Sequence, residues 1–190
     1  IFSLLKLNSQ VFHNDAIVVS DCKIASQVGL DILKNGGNAI DASIATAFTL
    51  AVTLPSAGNI GGGGFIVFLN SDNESKTIDF REKAPINSAK GMFLDESGNL
   101  IRGINHNSVL SIGVPGTVAG LFFAHKKYGK LSWKKLIQPA IDIANNGFIM
   151  TKGLYNSAKN DSVLTSILQL LCFAGIDAWH GLSHMIQINV

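Results

Sequence analysis

The hydrophobic pattern near the start of the chain predicts an amphipathic helix. Apolar residues recur at every fourth position, which places one apolar stripe along a helix. These positions are Ile24, Val28 and Ile32. We expect Ser20 or Asp21 to cap this helix and the helix to run to about Asn35. Gly36-Gly37 should end it, because glycine adopts the left-handed conformation of a helix C-terminus at little cost.

A second predicted helix, from about Asn38 to Leu54, is apolar on nearly every side. A bilayer span needs about 20 apolar residues, and this segment falls short of that length. Asp41 lies in its first turn, where a carboxylate suits the positive end of the helix dipole. Pro55 ends the helix. The sequence therefore predicts a helix buried in the centre of the protein, and no membrane span.

Three segments have the composition of β-strands. Residues 16–20 read as a short buried strand. Phe65–Leu69 is continuously apolar, which is typical of a strand covered on both faces. A polar turn at residues 71–75 leads to Thr77–Arg81, which predicts the second strand of a hairpin.

The second half of the chain is predicted to be loop followed by helices. A loop-rich stretch covers residues 85–113. Pro115 can start a helix that reaches Tyr128. Ser132 can cap another that ends at Asn146, with a kink at Pro139. Helices and hairpin strands in this order predict a layered α+β fold.

The composition excludes several classes of protein. The chain has 190 residues, of which 47% are hydrophobic and 15% are charged, and its net charge is +2. This excludes intrinsic disorder and argues against nucleic-acid binding, which needs clustered Lys and Arg. The low charge indicates that a partner covers part of the surface. Cys22 and Cys172 are too far apart in sequence for a zinc site or a disulfide framework, and the redox compartment stays open.

The run Gly61–Gly64 is the first candidate for chemistry, because consecutive backbone amides can bind an anion. A phosphate loop would need Gly-Lys-Ser or Gly-Lys-Thr, which is absent. The glycines also follow a helix and precede a strand, the reverse of a dinucleotide-binding fingerprint. We therefore predict no cofactor. We favour a close backbone crossing, where any Cβ would clash, and ligand contact is the alternative.

Arg81 is the sharper candidate, because it closes a predicted strand. A guanidinium held on a rigid strand is suited to bind a carboxylate through two parallel hydrogen bonds. The alternative is a structural ion pair with Asp79 or Glu82. His180 and His184 have the spacing of a helical metal pair, but they lack a third ligand and the Glu of His-Glu-x-x-His, so we predict no metal site.

Several long motifs, in one order, resemble the γ-glutamyltransferase family. They are Gln27–Ala42, Gly58–Phe65, Asp79–Pro85, Gly113–Gly120 and the stretch from Gln138 to Phe148. The resemblance runs from about Asp15 to about Asp161 and is to the first part of the family's large subunit. We take residues 1–161 as a large-subunit fragment and residues 162–190 as a divergent tail.

The resemblance implies an N-terminal-nucleophile hydrolase with an αββα sandwich. In this family the precursor cuts itself into a large and a small subunit. The new N-terminal threonine of the small subunit then attacks the γ-glutamyl amide of glutathione and transfers the glutamyl group to an amino acid, a peptide or water. The arginine of the Asp-Phe-Arg-Glu motif binds the substrate's α-carboxylate, and this role falls to Arg81.

The chain departs from the family in one respect that bears on activity. The Thr-Thr-His nucleophile motif is absent, so we assign no catalytic residue and expect the chain alone to be inactive. The family's oxyanion glycines belong to the small subunit, so Gly61–Gly64 do not take that role. We interpret the chain as a truncated or frameshifted reading frame or a fragmentary gene model.

Other readings remain open. The chain is alternatively a non-catalytic module that pairs with a separately encoded small subunit, or a non-functional remnant. Within the superfamily, an acylase of the cephalosporin type and a poly-γ-glutamate-cleaving enzyme are further alternatives. The resemblance implies a periplasmic or extracellular location.

Overall fold

The computed structural model describes residues 16–58 and 60–160, without the side chains of Asn107 and residues 157–160. In chain order the elements are α1 (Lys23–Lys34), α2 (Ala39–Thr53), β1 (Phe65–Leu69), β2 (Ser75–Asp79), α3 (Ile104–Asn107), a 3-10 turn (Val109–Ser111), α4 (Thr117–Tyr128), α5 (Trp133–Asn146) and α6 (Lys152–Asn160). This mixture of helices and a hairpin confirms the α+β class.

Helix α2 is the centre of the core, as its apolar sequence predicted. Ile44 and Ala45 are fully buried, and α2 packs against α1, α4 and α5. Phe48 meets the Trp133 ring of α5 edge to face, with centroids 5.5 Å apart. Among the described residues, no helix has both the length and the apolarity to cross a membrane.

The hairpin is antiparallel and has one covered and one open face. Phe65 pairs with Asp79 and Val67 with Thr77. The inward Phe68 packs edge to face on Tyr128 of α4, at 4.8 Å between centroids. On the opposite face Phe65, Val67 and Leu69 are 61%, 75% and 60% exposed. The prediction that both faces of β1 are covered is wrong for the described part of the chain, because the helices of that part pack against only one face of the hairpin.

The first two predicted elements need correction. Residues 16–20 form no strand, since no neighbouring strand among the described residues pairs with them. Cys22, rather than Ser20 or Asp21, is the N-cap of α1, and its side chain makes no capping bond. The Ser20 hydroxyl instead donates to the Cys22 carbonyl at 2.9 Å.

Several later boundaries also differ. Strand β2 lies two residues earlier than predicted, so it ends before Arg81. Helix α4 begins at Thr117, two residues after Pro115. Helix α5 has Ser132 at its N-cap without a side-chain bond, and it continues through Pro139 to the predicted end. Helices α3 and α6 were not predicted. The whole of the divergent tail, residues 162–190, lies outside the described residues, and with it Cys172, His180 and His184.

Candidate functional site

Arg81 lies just beyond the end of β2, in a turn held by its neighbours. The Asp79 carboxylate accepts the backbone N–H of Arg81 at 3.0 Å, which is the local bond that aspartate favours in turns. The N–H of Phe80 donates to the Gly64 carbonyl at 3.0 Å and continues the hairpin ladder by one bond. The backbone of Arg81 is thus fixed by contacts on its N-terminal side.

The guanidinium of Arg81 binds Glu82 through one of its edges. Arg81 Nη2 lies 3.0 Å from Oε1 of Glu82, and Arg81 Nε lies 3.3 Å from Oε2. Of the two structural partners that the sequence left open, Glu82 therefore pairs with the side chain and Asp79 with the backbone. The hydrogen bonds raise the pKa of Arg81 above its ordinary value, and they hold the pKa of Glu82 below its ordinary range.

The pairing leaves part of the guanidinium available. The Arg81 side chain is 57% exposed, and the Phe65 ring lies 5.8 Å from Arg81 Cζ in cation–π geometry. Glu82 occupies the edge formed by Nε and one Nη2 hydrogen, so the edge between Nη1 and Nη2 can receive a second carboxylate. A structural ion pair and a ligand contact are therefore compatible at this residue.

A cavity of about 650 Å³ opens beside Arg81. One wall is formed by residues 78–83, and the other by residues 114–116 and the first turns of α4, including Ala119 and the half-exposed Phe123. The sequence alone did not identify the α4 wall, because about thirty residues separate it from Arg81. The signal that was available is the pair Gly116 and Gly120, whose spacing places both on one helix face.

The tetraglycine run is a close backbone crossing at Gly63. A Cβ added there would lie 2.5 Å from the Glu82 nitrogen and 2.7 Å from the Cα of Arg81. At Gly61, by contrast, an added Cβ would meet nothing within 4 Å. The favoured interpretation is confirmed for Gly63, and the run is not uniformly constrained.

The other titratable groups in the described part of the chain show no catalytic arrangement. Burial raises the pKa of the Cys22 thiol, but the nearby Thr53 side chain and the backbone of Ala25 and Ile24 lower it, and the pKa lies below its ordinary value. His125 Nε2 lies 2.7 Å from the Leu131 carbonyl, a bond that joins α4 to the start of α5. Within residues 16–58 and 60–160, no group of three or more His, Cys, Asp or Glu could hold a metal ion.

Comparison with known proteins then decides the family. Residues 25–170 match the family model described as gamma-glutamyltranspeptidase. The chain belongs to the gamma-glutamyltranspeptidase family. The family's members are N-terminal-nucleophile hydrolases, and the match includes Arg81, the tetraglycine run and the α4 wall of the cavity.

The relatives agree with this assignment. The chain is 44% identical over 157 residues to the glutathione hydrolase proenzyme of Escherichia coli, covering 80% of this chain and 27% of that protein. It is 46% identical over 150 residues to the glutathione hydrolase proenzyme of Pseudomonas sp. strain A14, covering 77% and 26%. The chain thus spans about a quarter of the length of these relatives.

A solved structure supports the same conclusion. The gamma-glutamyltranspeptidase of Helicobacter pylori superposes with a TM-score of 0.74 at 41% identity, covering 82% of this chain and 46% of that one. The arrangement of helices and hairpin described above is therefore an arrangement of the gamma-glutamyltranspeptidase family.

Proposed function

We propose that this chain is part of the large subunit of a γ-glutamyl-cleaving enzyme, in which Arg81 binds the α-carboxylate of a donor such as glutathione. The observation that carries the proposal is the available edge of the Arg81 guanidinium beside the 650 Å³ cavity. A planar guanidinium binds a carboxylate through two parallel hydrogen bonds, which fixes the orientation of the ligand as well as its charge. Glutathione is favoured as donor because both relatives described above are named glutathione hydrolase.

The reaction needs a nucleophile from the rest of the precursor, because these 190 residues contain no Thr-Thr-His sequence. In the proposed enzyme, the N-terminal threonine of the small subunit attacks the γ-amide carbon, and its own amine takes the hydroxyl proton. That proton passes to the amide nitrogen, the C–N bond breaks and the amine departs, which leaves the glutamyl group as an ester on the threonine oxygen. An amino acid, a peptide or water then accepts the glutamyl group. Arg81 holds the α-carboxylate throughout, away from the bond that breaks.

We also propose that the open face of the hairpin packs against the second sheet of an αββα sandwich. The exposed Phe65, Val67 and Leu69 form an apolar strip of the kind that sheet-on-sheet packing covers. The covering strands would come from the parts of the precursor beyond this chain, which make up about three quarters of the relatives' length. The partner is then the small subunit or the remaining large subunit, and the proposed compartment is periplasmic or extracellular.

A hybrid enzyme tests the role of Arg81. The segment of the Escherichia coli proenzyme that aligns with this chain would be replaced by the corresponding residues of this chain. With a γ-glutamyl anilide as donor, we expect Arg81→Gln to lower kcat/KM about 30-fold or more, since the α-carboxylate would lose two parallel hydrogen bonds to a charged partner. Most of the loss should appear in KM, because the α-carboxylate is bound equally in the ground and transition states.

Arg102, the chain's other arginine, provides the matched control, since it is exposed and lies outside the cavity lining. Arg102→Gln should leave KM within about twofold of the parent hybrid. Equal KM values for the two variants would remove Arg81 from the binding site. The 190-residue chain on its own should release no product from the anilide, and turnover by that chain would show that its nucleophile lies within it.

The sandwich is tested at Val67 in the same hybrid. Val67→Lys should block cleavage of the precursor into its subunits, because the charge would be buried between the sheets. Val67→Ile, which keeps the apolar surface, should allow cleavage. Normal maturation of the lysine variant would mean that the open face stays in solvent.

A further inference from the structure

We propose that Gly63 and Gly116 are positioning residues for Arg81, because the absence of a Cβ at each lets a second segment of chain close on the backbone that carries the guanidinium. The inference rests on the proposed function of Arg81 and adds a mechanism for its placement. The three atoms nearest an added Cβ at either glycine are backbone atoms of residues 80–82, so the effect of these glycines would be transmitted through that backbone.

The contacts at Gly63 are entirely with backbone. A Cβ there would lie 2.5 Å from the Glu82 nitrogen, 2.6 Å from the Phe80 carbonyl oxygen and 2.7 Å from the Cα of Arg81. Real Cβ atoms essentially never approach within 3.0 Å of such atoms. A side chain could rotate away from this overlap, but backbone atoms cannot. An alanine at Gly63 must therefore displace either the glycine segment before β1 or residues 80–82.

Gly116, in a different segment of chain, also leaves no space for a Cβ against the backbone of residues 80–82. Its added Cβ would overlap the Phe80 carbonyl oxygen and would lie 3.1 Å from the Arg81 carbonyl oxygen. The two glycine segments are themselves joined, since the N–H of Gly116 donates to the Gly62 carbonyl at 2.8 Å. The backbone of Phe80 and Arg81 thus lies against two segments that are hydrogen-bonded to each other. A side chain added to either segment would clash with this backbone.

Hydrogen bonds fix the ends of the same stretch. Phe80 bonds to Gly64, and Lys83 exchanges two bonds with Val114, at 3.0 and 2.8 Å. Arg81 therefore lies between two anchored residues, with glycine contacts in the interval. This arrangement restricts where the guanidinium can be placed, which matters because a misplacement of about 1 Å can cost about 100-fold in rate.

The tetraglycine run supplies a graded test in the hybrid enzyme. Gly61→Ala is the control, since its Cβ meets open space and its φ lies outside the left-handed region. Gly64→Ala is the mild variant, because its Cβ would lie 3.1 Å from the Phe80 ring, and Gly63→Ala is the severe one. We expect KM for the γ-glutamyl anilide to be unchanged for the control, to rise about threefold for the mild variant and to rise about tenfold or more for the severe variant, with kcat changing less.

A double-mutant cycle separates positioning from general stability. If Gly63 acts through Arg81, Gly63→Ala should raise KM no further in the Arg81→Gln background, whereas a merely structural defect would be independent of that background. Equal KM values along the glycine series, or an undiminished rise in the Arg81→Gln background, would overturn the inference. If Gly63→Ala fails to mature, the same cycle with Gly64→Ala decides the question.

The two proposals fail in different ways. A flat glycine series together with a large effect of Arg81→Gln would remove the positioning role and leave the proposed function intact. An Arg81→Gln hybrid with the parent's KM would remove both.

Discussion

The buried carboxylate of Asp41 should be a major determinant of stability. Asp41 is 0% exposed, and it accepts the backbone N–H groups of Asn38 at 3.0 Å, Lys130 at 3.0 Å and Leu131 at 3.2 Å. In return, the Asn38 side chain caps the N–H of Asp41 at 2.9 Å and donates to the Tyr128 carbonyl at 2.6 Å. One residue thus completes the capping box of α2 and ties it to the connection between α4 and α5.

The cost of removing this carboxylate follows from its partners. Each buried donor left without an acceptor costs about 1–3 kcal/mol, and Asp41→Ala removes the acceptor of three N–H groups. Lys130 lies at the surface, where water can replace the lost acceptor, so we expect a total of about 3–5 kcal/mol. Asp41→Asn keeps one acceptor oxygen but turns an amide NH₂ toward a donor, and it should cost about 1–3 kcal/mol.

Urea unfolding of the full chain, followed by circular dichroism, measures these differences. For a chain of this size, the larger loss also lowers the melting temperature by about 6–20 °C. The matched control is Asp142→Ala on α5, since Asp142 is exposed and accepts one bond, from Gln138 at 2.8 Å. That variant should stay within about 0.5 kcal/mol of the parent. A result for Asp41→Ala within about 1 kcal/mol of this control would refute the reasoning.

Two further predictions concern packing and pH. Gly29→Ala should destabilise the chain by about 1–3 kcal/mol despite the better helix propensity of alanine, because the added Cβ would overlap Thr46 Oγ1. Gly153→Ala, whose added Cβ would have its nearest contact 3.9 Å away, should be neutral or stabilising in the same urea assay. The hydrogen bond with Arg81 lowers the pKa of Glu82 in the folded state. The pair therefore stabilises the fold fully at pH values above about 4.3, the pKa of glutamate in the unfolded chain, and this stabilisation is lost as the pH falls through the lower pKa of the folded state. NMR titration of the Glu82 carboxyl should give a midpoint below about 4.3 that rises in Arg81→Gln, and an unchanged midpoint would contradict the pairing.

The helices could be predicted well because their signals are local. The four-residue recurrence in α1 and the uninterrupted apolar run of α2 each depend on one segment of chain, and the structure has both helices within about two residues of the prediction. The cover of β1 is not a local property. Its apolar sequence is typical of a strand buried on both faces, yet Val67 is 75% exposed within this chain. That sequence is consistent with a sheet whose second layer lies elsewhere in the precursor.

The site shows the same division between local and distant information. Arg81 could be named from its motif, and Glu82 from its adjacency. The constraint at Gly63 is a matter of approach between segments, and the sequence could indicate only that a crossing was possible somewhere in the run. The difference between Gly61 and Gly63 depends on where residues 80–82 pass, which no periodicity in the sequence records.

The open hairpin face and the candidate binding residue meet at one side chain. Phe65 belongs to the exposed apolar strip, and its ring also lies 5.8 Å from Arg81 Cζ. A sheet that covers Phe65 would therefore also remove water from around Arg81. An exposed ion pair contributes about 0–1 kcal/mol, whereas a desolvated, hydrogen-bonded one is worth several times more. If Arg81 binds the donor and a second sheet covers the hairpin, as proposed above, the Arg81 site would be weak in the isolated chain and stronger once the rest of the precursor packs on the hairpin. Assembly and donor binding would then depend on the same surface.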